Sequence, residues 1–227
     1  MMAKFARTAG FDQKDMENFK SCCDILYLDQ RNNVFQQDSK SDGIYCLQSG
    51  YVMLWHNDKA GNEIGFRVAG AGEIIGHRAY FGDDPHTATA VALTNCVICR
   101  YRPDYLTTLM DKYPRLYKLF LWLLARDKGP PDSLVLRNTH LPVKVRLIYL
   151  LLILKHQFAE EDHDCELCFK LPMNRKDIST MIAARPETVA RAIKELESDG
   201  MAKFSGRNVT VPDIDRLTDS VMEVEGN

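Results

Sequence analysis

The chain has 227 residues, enough for one large or two ordinary domains, and 45% of them are apolar, enough to build real cores. A net charge of −2 does not by itself point to nucleic acid, and neither a signal peptide's apolar segment nor a run long enough to cross a bilayer is present: the longest, Leu147 to Leu154, spans eight residues. Seven cysteines, an odd number in a chain of this size, do not form the framework of a disulfide scaffold and fit reduced thiols in a cytoplasm.

Residues 11 to 22 carry Phe11, Met16 and Phe19 at spacings that predict a short amphipathic helix. From Ile25 to Tyr101 the chain breaks into short apolar runs, such as Tyr51 to Trp55 and Ile64 to Val68. Turn signals divide them, among them Asp42-Gly43, Ser49-Gly50 and Gly70-Ala71-Gly72, and this rhythm predicts an all-β barrel or sandwich. After Pro103 the pattern turns helical. Leu116, Leu119, Phe120, Leu123 and Leu124 form one stripe, but Phe120, Leu121, Trp122 and Leu123 are consecutive, so this helix is apolar nearly all round and predicts burial on more than one side. Gly129-Pro130-Pro131 predicts a kink or restart, with Asp132 as a cap for the helix's continuation through Asn138. His140-Leu141-Pro142 reads as a hinge and Val143 to Phe158 as a further helix. The loop from Ala159 to Asp164 is acidic, and Leu167 to Leu171 reads as a strand.

Residues 173–211 carry the most specific pattern. Asn174 is a good N-cap, and Ile178, Met181 and Ile182 give a first helix one apolar face. Ala183 and Ala184 permit a close turn, Pro186 suits the first position of a second helix, and Gly200 ends it. With Val189, Ile193 and Leu196 facing inward, Arg185, Glu187, Thr188, Arg191 and Lys194 point outward. Arginine bridges the two acceptors of a guanine and glutamate accepts from a cytosine amino group, so this set suits a reader of the major groove. Lys203-Phe204-Ser205-Gly206-Arg207 comes next as a hairpin tip with two cations for phosphates. Residues 170–210 hold eight cations against five anions, locally about +3, which favours a polyanion.

These residues resemble the winged helix-turn-helix of the cyclic-AMP receptor protein / fumarate-nitrate reduction regulator (CRP/FNR) family of bacterial transcription factors. In that family a glutamate opens the recognition helix and an arginine follows four residues later, as Glu187 and Arg191 do. The resemblance implies an α+β chain with a cyclic-nucleotide-binding-like β-barrel of jelly-roll type in residues 1–112. A dimerisation helix and hinge would occupy 113–140, and a winged helix-turn-helix 141–227. It implies a regulator of transcription, not an enzyme, that binds near-palindromic double-stranded DNA as a homodimer in the cytoplasm, working with RNA polymerase and away from any membrane. Arg146 falls where the family commonly carries an arginine. Residues 72–92 resemble the family's phosphate-binding cassette, in which a glutamate holds the ribose hydroxyl and an arginine the cyclic phosphate. Here those positions are His77 and His86. An ungapped overlay puts Pro131 and Asp132 at the adenine contacts. Gly72, Gly76, His77, His86, Pro131 and Asp132 are thus the candidate effector pocket, although turns alone could require the two glycines. The expected effector is something other than cyclic AMP, or none.

No metal site is expected. Cys165-x-x-Cys168 has the spacing of a zinc or redox pair but lacks a second pair. Cys96-x-x-Cys99 falls in a predicted strand, where alternation separates the two side chains. Cys22-Cys23 is adjacent and lacks the spaced set of the family's iron–sulfur branch. The alternative reading is a haem- or thiol-based redox or gas sensor on the same DNA-binding domain, with His77 as the haem ligand.

Overall fold

The structure is a computed structural model that describes Lys14, Glu17, Phe19 and residues 21–127, 140–158 and 168–225. The chain divides into two compact units, residues 1–56 with 67–130, and residues 57–66 with 131–227. No helix among the described residues is long and apolar enough to cross a membrane.

Eight short strands come first in the chain: β1 (Asp24–Leu28), β2 (Asn33–Phe35), β3 (Ile44–Ser49), β4 (Val52–Asn57), β5 (Glu63–Ala69), β6 (Ile74–Ile75), β7 (Thr89–Ala92) and β8 (Cys96–Tyr101). They form two four-stranded sheets, ordered β1-β8-β3-β6 and β2-β7-β4-β5. The first is antiparallel throughout, with Ile25 opposite Cys99 and Cys46 opposite Cys99 on the other side. Leu47 and Ile98, a cross-strand pair, are fully buried, and β3 is buried on both faces from Ile44 to Leu47. Between β6 and β7 a short helix, α1 (His77–Gly82), interrupts the strand rhythm.

Two helices come next, α2 (Pro103–Lys112) and α3 (Arg115–Asp127). Ile44, Cys46, Ile74, Cys99 and Tyr101 of the sheet form one core cluster with Leu106, Leu109 and Met110 of α2 and Leu116 and Phe120 of α3. Phe19 joins this cluster and stacks on Tyr101 at 4.4 Å between ring centroids, so the one described member of the predicted N-terminal trio packs as expected. Phe11 and Met16 lie outside the described residues. The predicted stripe on α3 faces inward, with Leu116 and Phe120 buried and Leu119, Leu123 and Leu124 half-buried. Tyr117, Leu121 and Trp122, outside that stripe, are 44%, 65% and 53% exposed, so within this chain the helix is not buried all round. The predicted kink at Gly129-Pro130-Pro131 lies outside the described residues.

The second unit contains α4 (Val143–Phe158), β9 (Cys168–Lys170), α5 (Arg175–Met181), α6 (Pro186–Ser198), β10 (Lys203–Ser205), β11 (Asn208–Thr210) and α7 (Ile214–Glu225). The three strands form one antiparallel sheet in the order β10-β11-β9. Apolar residues of α4 lie on several of its faces, and Val145, Leu147, Ile148, Leu150, Leu151 and Leu154 are buried in this unit's core.

Candidate nucleic-acid interface

The site starts with the cap of α5. The Asn174 side chain accepts from the Asp177 amide at 3.0 Å, and the Asp177 carboxylate accepts from the Asn174 amide at 2.8 Å, a reciprocal capping box. This explains why Asp177 is buried: its carboxylate closes the helix end rather than facing solvent. Ser179 and Thr180, also buried, donate back to the Arg175 and Lys176 carbonyls, so the hydroxyls of α5 are satisfied within the helix.

The turn after α5 is tight because Ala183 takes φ 46, the left-handed region that non-glycine residues seldom occupy. Arg146 of α4 holds it there. Its Nη1 donates to the carbonyls of Ile182 at 2.7 Å and Ala183 at 3.1 Å, two acceptors left open where α5 ends. Burial pushes the Arg146 guanidinium below its ordinary value, and those carbonyl dipoles face the charge.

From this turn Pro186 begins α6. Val189, Ala192, Ile193 and Leu196 are buried along one side, and Glu187, Arg191 and Lys194 are exposed on the other. At about 100° per residue, Arg191 and Lys194 lie roughly 40° and −20° from Glu187, so the three form a single stripe. Arg185 precedes the helix with an exposed side chain and makes no cap bond of its own, and Thr188 is half-buried at the stripe's edge. Gly200, with φ 66, ends the element.

The hairpin β10–β11 carries the last two predicted contacts, Lys203 and Arg207, both exposed around Gly206. The hairpin is tied to α6, because the Phe204 amide donates to Glu197 Oε1 at 3.0 Å. Near the far end of α6, Lys144 pairs with Asp199 and holds its carboxyl below the usual range, and Arg216 donates to the Asp199 carbonyl at 3.1 Å. Glu197 and Asp199 thus serve internal ties, and the exposed stripe keeps Glu187, Arg191 and Lys194, with Arg185 ahead of it. All seven residues expected to meet DNA lie on α6, at its start or on the hairpin. Arg146, Asp177 and Glu197 support this site without being among them. An N-x-x-D spacing at 174–177 was a readable signal for the capping box; nothing local indicated the reach of Arg146 or Glu197.

Of the candidate effector residues described in the first unit, the two histidines are buried and the two glycines half-buried. Gly72 and Gly76 take φ 86 and 79, and a Cβ on Gly76 would stand 2.9 Å from the Tyr45 ring, so both glycines serve the backbone. His77 is 2% exposed at the start of α1. His86 is 3% exposed and stacks on Phe35 at 3.9 Å, and burial lowers its affinity for a proton, with Asp42 opposing. It therefore stands neutral near pH 7 and offers no cation to a phosphate. Glu73, the acid between the glycines, accepts from Arg67 at 2.9 Å and from the Gly70 amide at 2.7 Å and braces the loop. Pro131, Asp132 and Cys165 lie outside the described residues. Cys168 is exposed beside the Thr210 hydroxyl at 3.4 Å.

Comparison with known proteins covers both units. A model of the cyclic nucleotide-binding domain matches residues 26–113, and one of the Crp-like helix-turn-helix domain matches residues 145–220. The fumarate and nitrate reduction regulatory protein of Escherichia coli K12 is 25% identical over 193 residues, covering 84% of this chain and 75% of that protein. The CRP-like cAMP-activated global transcriptional regulator of Mycobacterium tuberculosis H37Rv is 23% identical over 186 residues, with coverages of 82% and 83%. Among solved structures, FixK2 from Bradyrhizobium japonicum superposes with a TM-score of 0.77 at 18% identity, over 87% of this chain and 96% of that one. The c-di-GMP responsive regulator CLP of Xanthomonas campestris gives 0.75 at 19% identity, over 89% and 100%. These two likenesses concern the fold.

Proposed function

The chain belongs to the CRP/FNR family of transcription regulators, and from that premise we propose that it binds near-palindromic promoter DNA as a homodimer, with α6 in the major groove and the β10–β11 wing on the backbone. The observation that carries this reading is the exposed stripe of Glu187, Arg191 and Lys194 opposite a fully buried face, with Arg185 at its start. Arg191 pairs with a guanine and Glu187 with a cytosine of the complementary strand. Pro186 offers no donor, so the expected half-site is T-T-G-A rather than T-G-T-G-A. Lys203 and Arg207 hold phosphates, which position the protein without reading sequence.

Homodimerisation runs through α3, whose exposed Tyr117, Leu121 and Trp122 lie on the helix that also carries the buried Leu116 and Phe120. Two recognition helices one DNA turn apart then read the two half-sites. The effector is not cyclic AMP: both histidines of the cassette are buried, and His86 is held neutral. The protein works in the cytoplasm with RNA polymerase and catalyses no reaction.

Selection of binding sites from a random duplex pool tests the docking. The wild type should recover T-T-G-A half-sites. Arg191→Ala should lose about 1–3 kcal/mol on such a site and relax the choice at the guanine. Lys203→Ala should instead weaken all sequences alike and flatten the salt slope by about one. Half-sites without the G-A step, or unchanged selectivity in Arg191→Ala, would show a different docking.

A further inference from the structure

Three thiols that are far apart in sequence meet on one face of the first sheet. Cys46 on β3 lies directly opposite Cys99 on β8. Cys23 stands just ahead of β1, one position beyond the Asp24–Arg100 pair, which puts it beside Tyr101 and diagonal to Cys99. Cys23 packs against the cluster that contains Cys46, Cys99 and Tyr101. The Cys99 thiol hydrogen-bonds to Cys23, and Cys46 is also close enough to feel its charge.

The three differ in access. Cys46 and Cys99 are buried, and desolvation pushes each thiol up to about 12, so both stay protonated and slow toward an oxidant. Cys23 is half-buried, the most accessible of the three. Its backbone lies in a bend ahead of the β1–β8 ladder, outside the pairing that fixes Cys46 against Cys99. Among the described residues no group of three or more His, Cys, Asp or Glu side chains is placed to hold a metal ion. What the geometry does offer is one accessible thiol in hydrogen-bonding reach of one buried thiol, the arrangement of an attacking and a resolving cysteine.

We propose that Cys23 and Cys99 form a reversible peroxide-oxidised disulfide. In the first step the Cys23 sulfur takes an oxygen from hydrogen peroxide; the O–O bond breaks, and sulfenic acid and water result. In the second, the Cys99 sulfur attacks the sulfenic sulfur. The S–O bond breaks, the S–S bond forms, and the thiol proton leaves with the hydroxide as a second water. A dithiol reductant reverses it by exchange. The bridge would join β1 to β8 within the cluster that also holds Leu116 and Phe120 of α3 and the Phe19–Tyr101 stack. This assignment does not rest on the DNA-binding reading.

The test uses the full chain, reduced, exposed to a small excess of hydrogen peroxide, alkylated and mapped by peptide mass spectrometry. The expected product is a Cys23–Cys99 linked peptide with loss of one pair of titratable thiols, restored by dithiothreitol. Cys22→Ser should keep the link and Cys23→Ser should abolish it. Cys99→Ser should leave Cys23 as sulfenic acid, captured by dimedone. Should Cys99→Ser fail to fold, the Cys22→Ser and Cys23→Ser pair decides alone, since Cys22 is exposed and Cys23 only half-buried. Absence of a link, a link through Cys22, or a Cys46–Cys99 link in its place would overturn the proposal.

Discussion

Replacing Arg146 by methionine isolates what the guanidinium does for the recognition turn, because the methionine keeps most of the side chain's apolar length in place. Two hydrogen bonds are lost, at 2.7 Å to the Ile182 carbonyl and 3.1 Å to that of Ala183. They are not equal. The first is partly buried and charge-assisted, a type that contributes about 1.5–3 kcal/mol. The second is exposed, and water replaces much of it. Both also come from one nitrogen, so they do not simply add. The expected loss is therefore about 2 kcal/mol. At roughly 4–8 °C per kcal/mol for a domain of this size, the transition of the second unit should fall by about 8–16 °C. Far-ultraviolet circular dichroism on heating, with urea unfolding as a check, measures it. Arg146→Lys, which keeps the charge but not the fork, should fall between the two. The same variants should bind DNA more weakly at every sequence, since the turn aims all of α6. A Met variant within about 0.5 kcal/mol of wild type would refute the clamp.

Other outcomes concern the first unit. Leu121→Glu places a charge on the exposed face of α3 and should shift the protein from dimer to monomer by light scattering; a wild type that is monomeric at all concentrations would defeat the dimer reading. His86 is depressed by burial, so the unfolded chain binds its proton more readily. Stability is therefore full above the ordinary histidine value of about 6.5 and declines as pH falls below it, and His86→Gln should flatten that decline in urea unfolding measured from pH 7 to 5. Calorimetry with millimolar cyclic AMP should show no saturable heat.

The second unit was largely legible in sequence because its signals are local. Asn174, Pro186 and Gly200 mark helix ends within a few residues of their effect, and the apolar spacing of α6 separates its buried face from its exposed stripe. The ties that aim those elements were not legible. Arg146 reaches a turn 36 residues away, and Phe204 meets Glu197 only after the chain has reversed. Resemblance marked the position of Arg146 but not its acceptors. In the first unit, short apolar runs between turn signals predicted strands but not that α1 would interrupt them, nor that His77 and His86 would be buried. Cys23, Cys46 and Cys99 looked unrelated because only strand order, β1 beside β8 beside β3, brings them together.

The bond from the Phe204 amide to Glu197 makes the helix and the wing behave as the two jaws of a calliper set to one opening. On the proposed docking, the span from Arg191 to Lys203 belongs to the protein, and the duplex must adjust its groove to fit. Base steps that never touch a side chain then acquire a preference, because a stiff flank resists the adjustment and a pliable one yields. Severing the bond with Glu197→Ala would loosen the jaws and widen the range of flanking sequences that are accepted, while leaving the guanine choice of Arg191 intact.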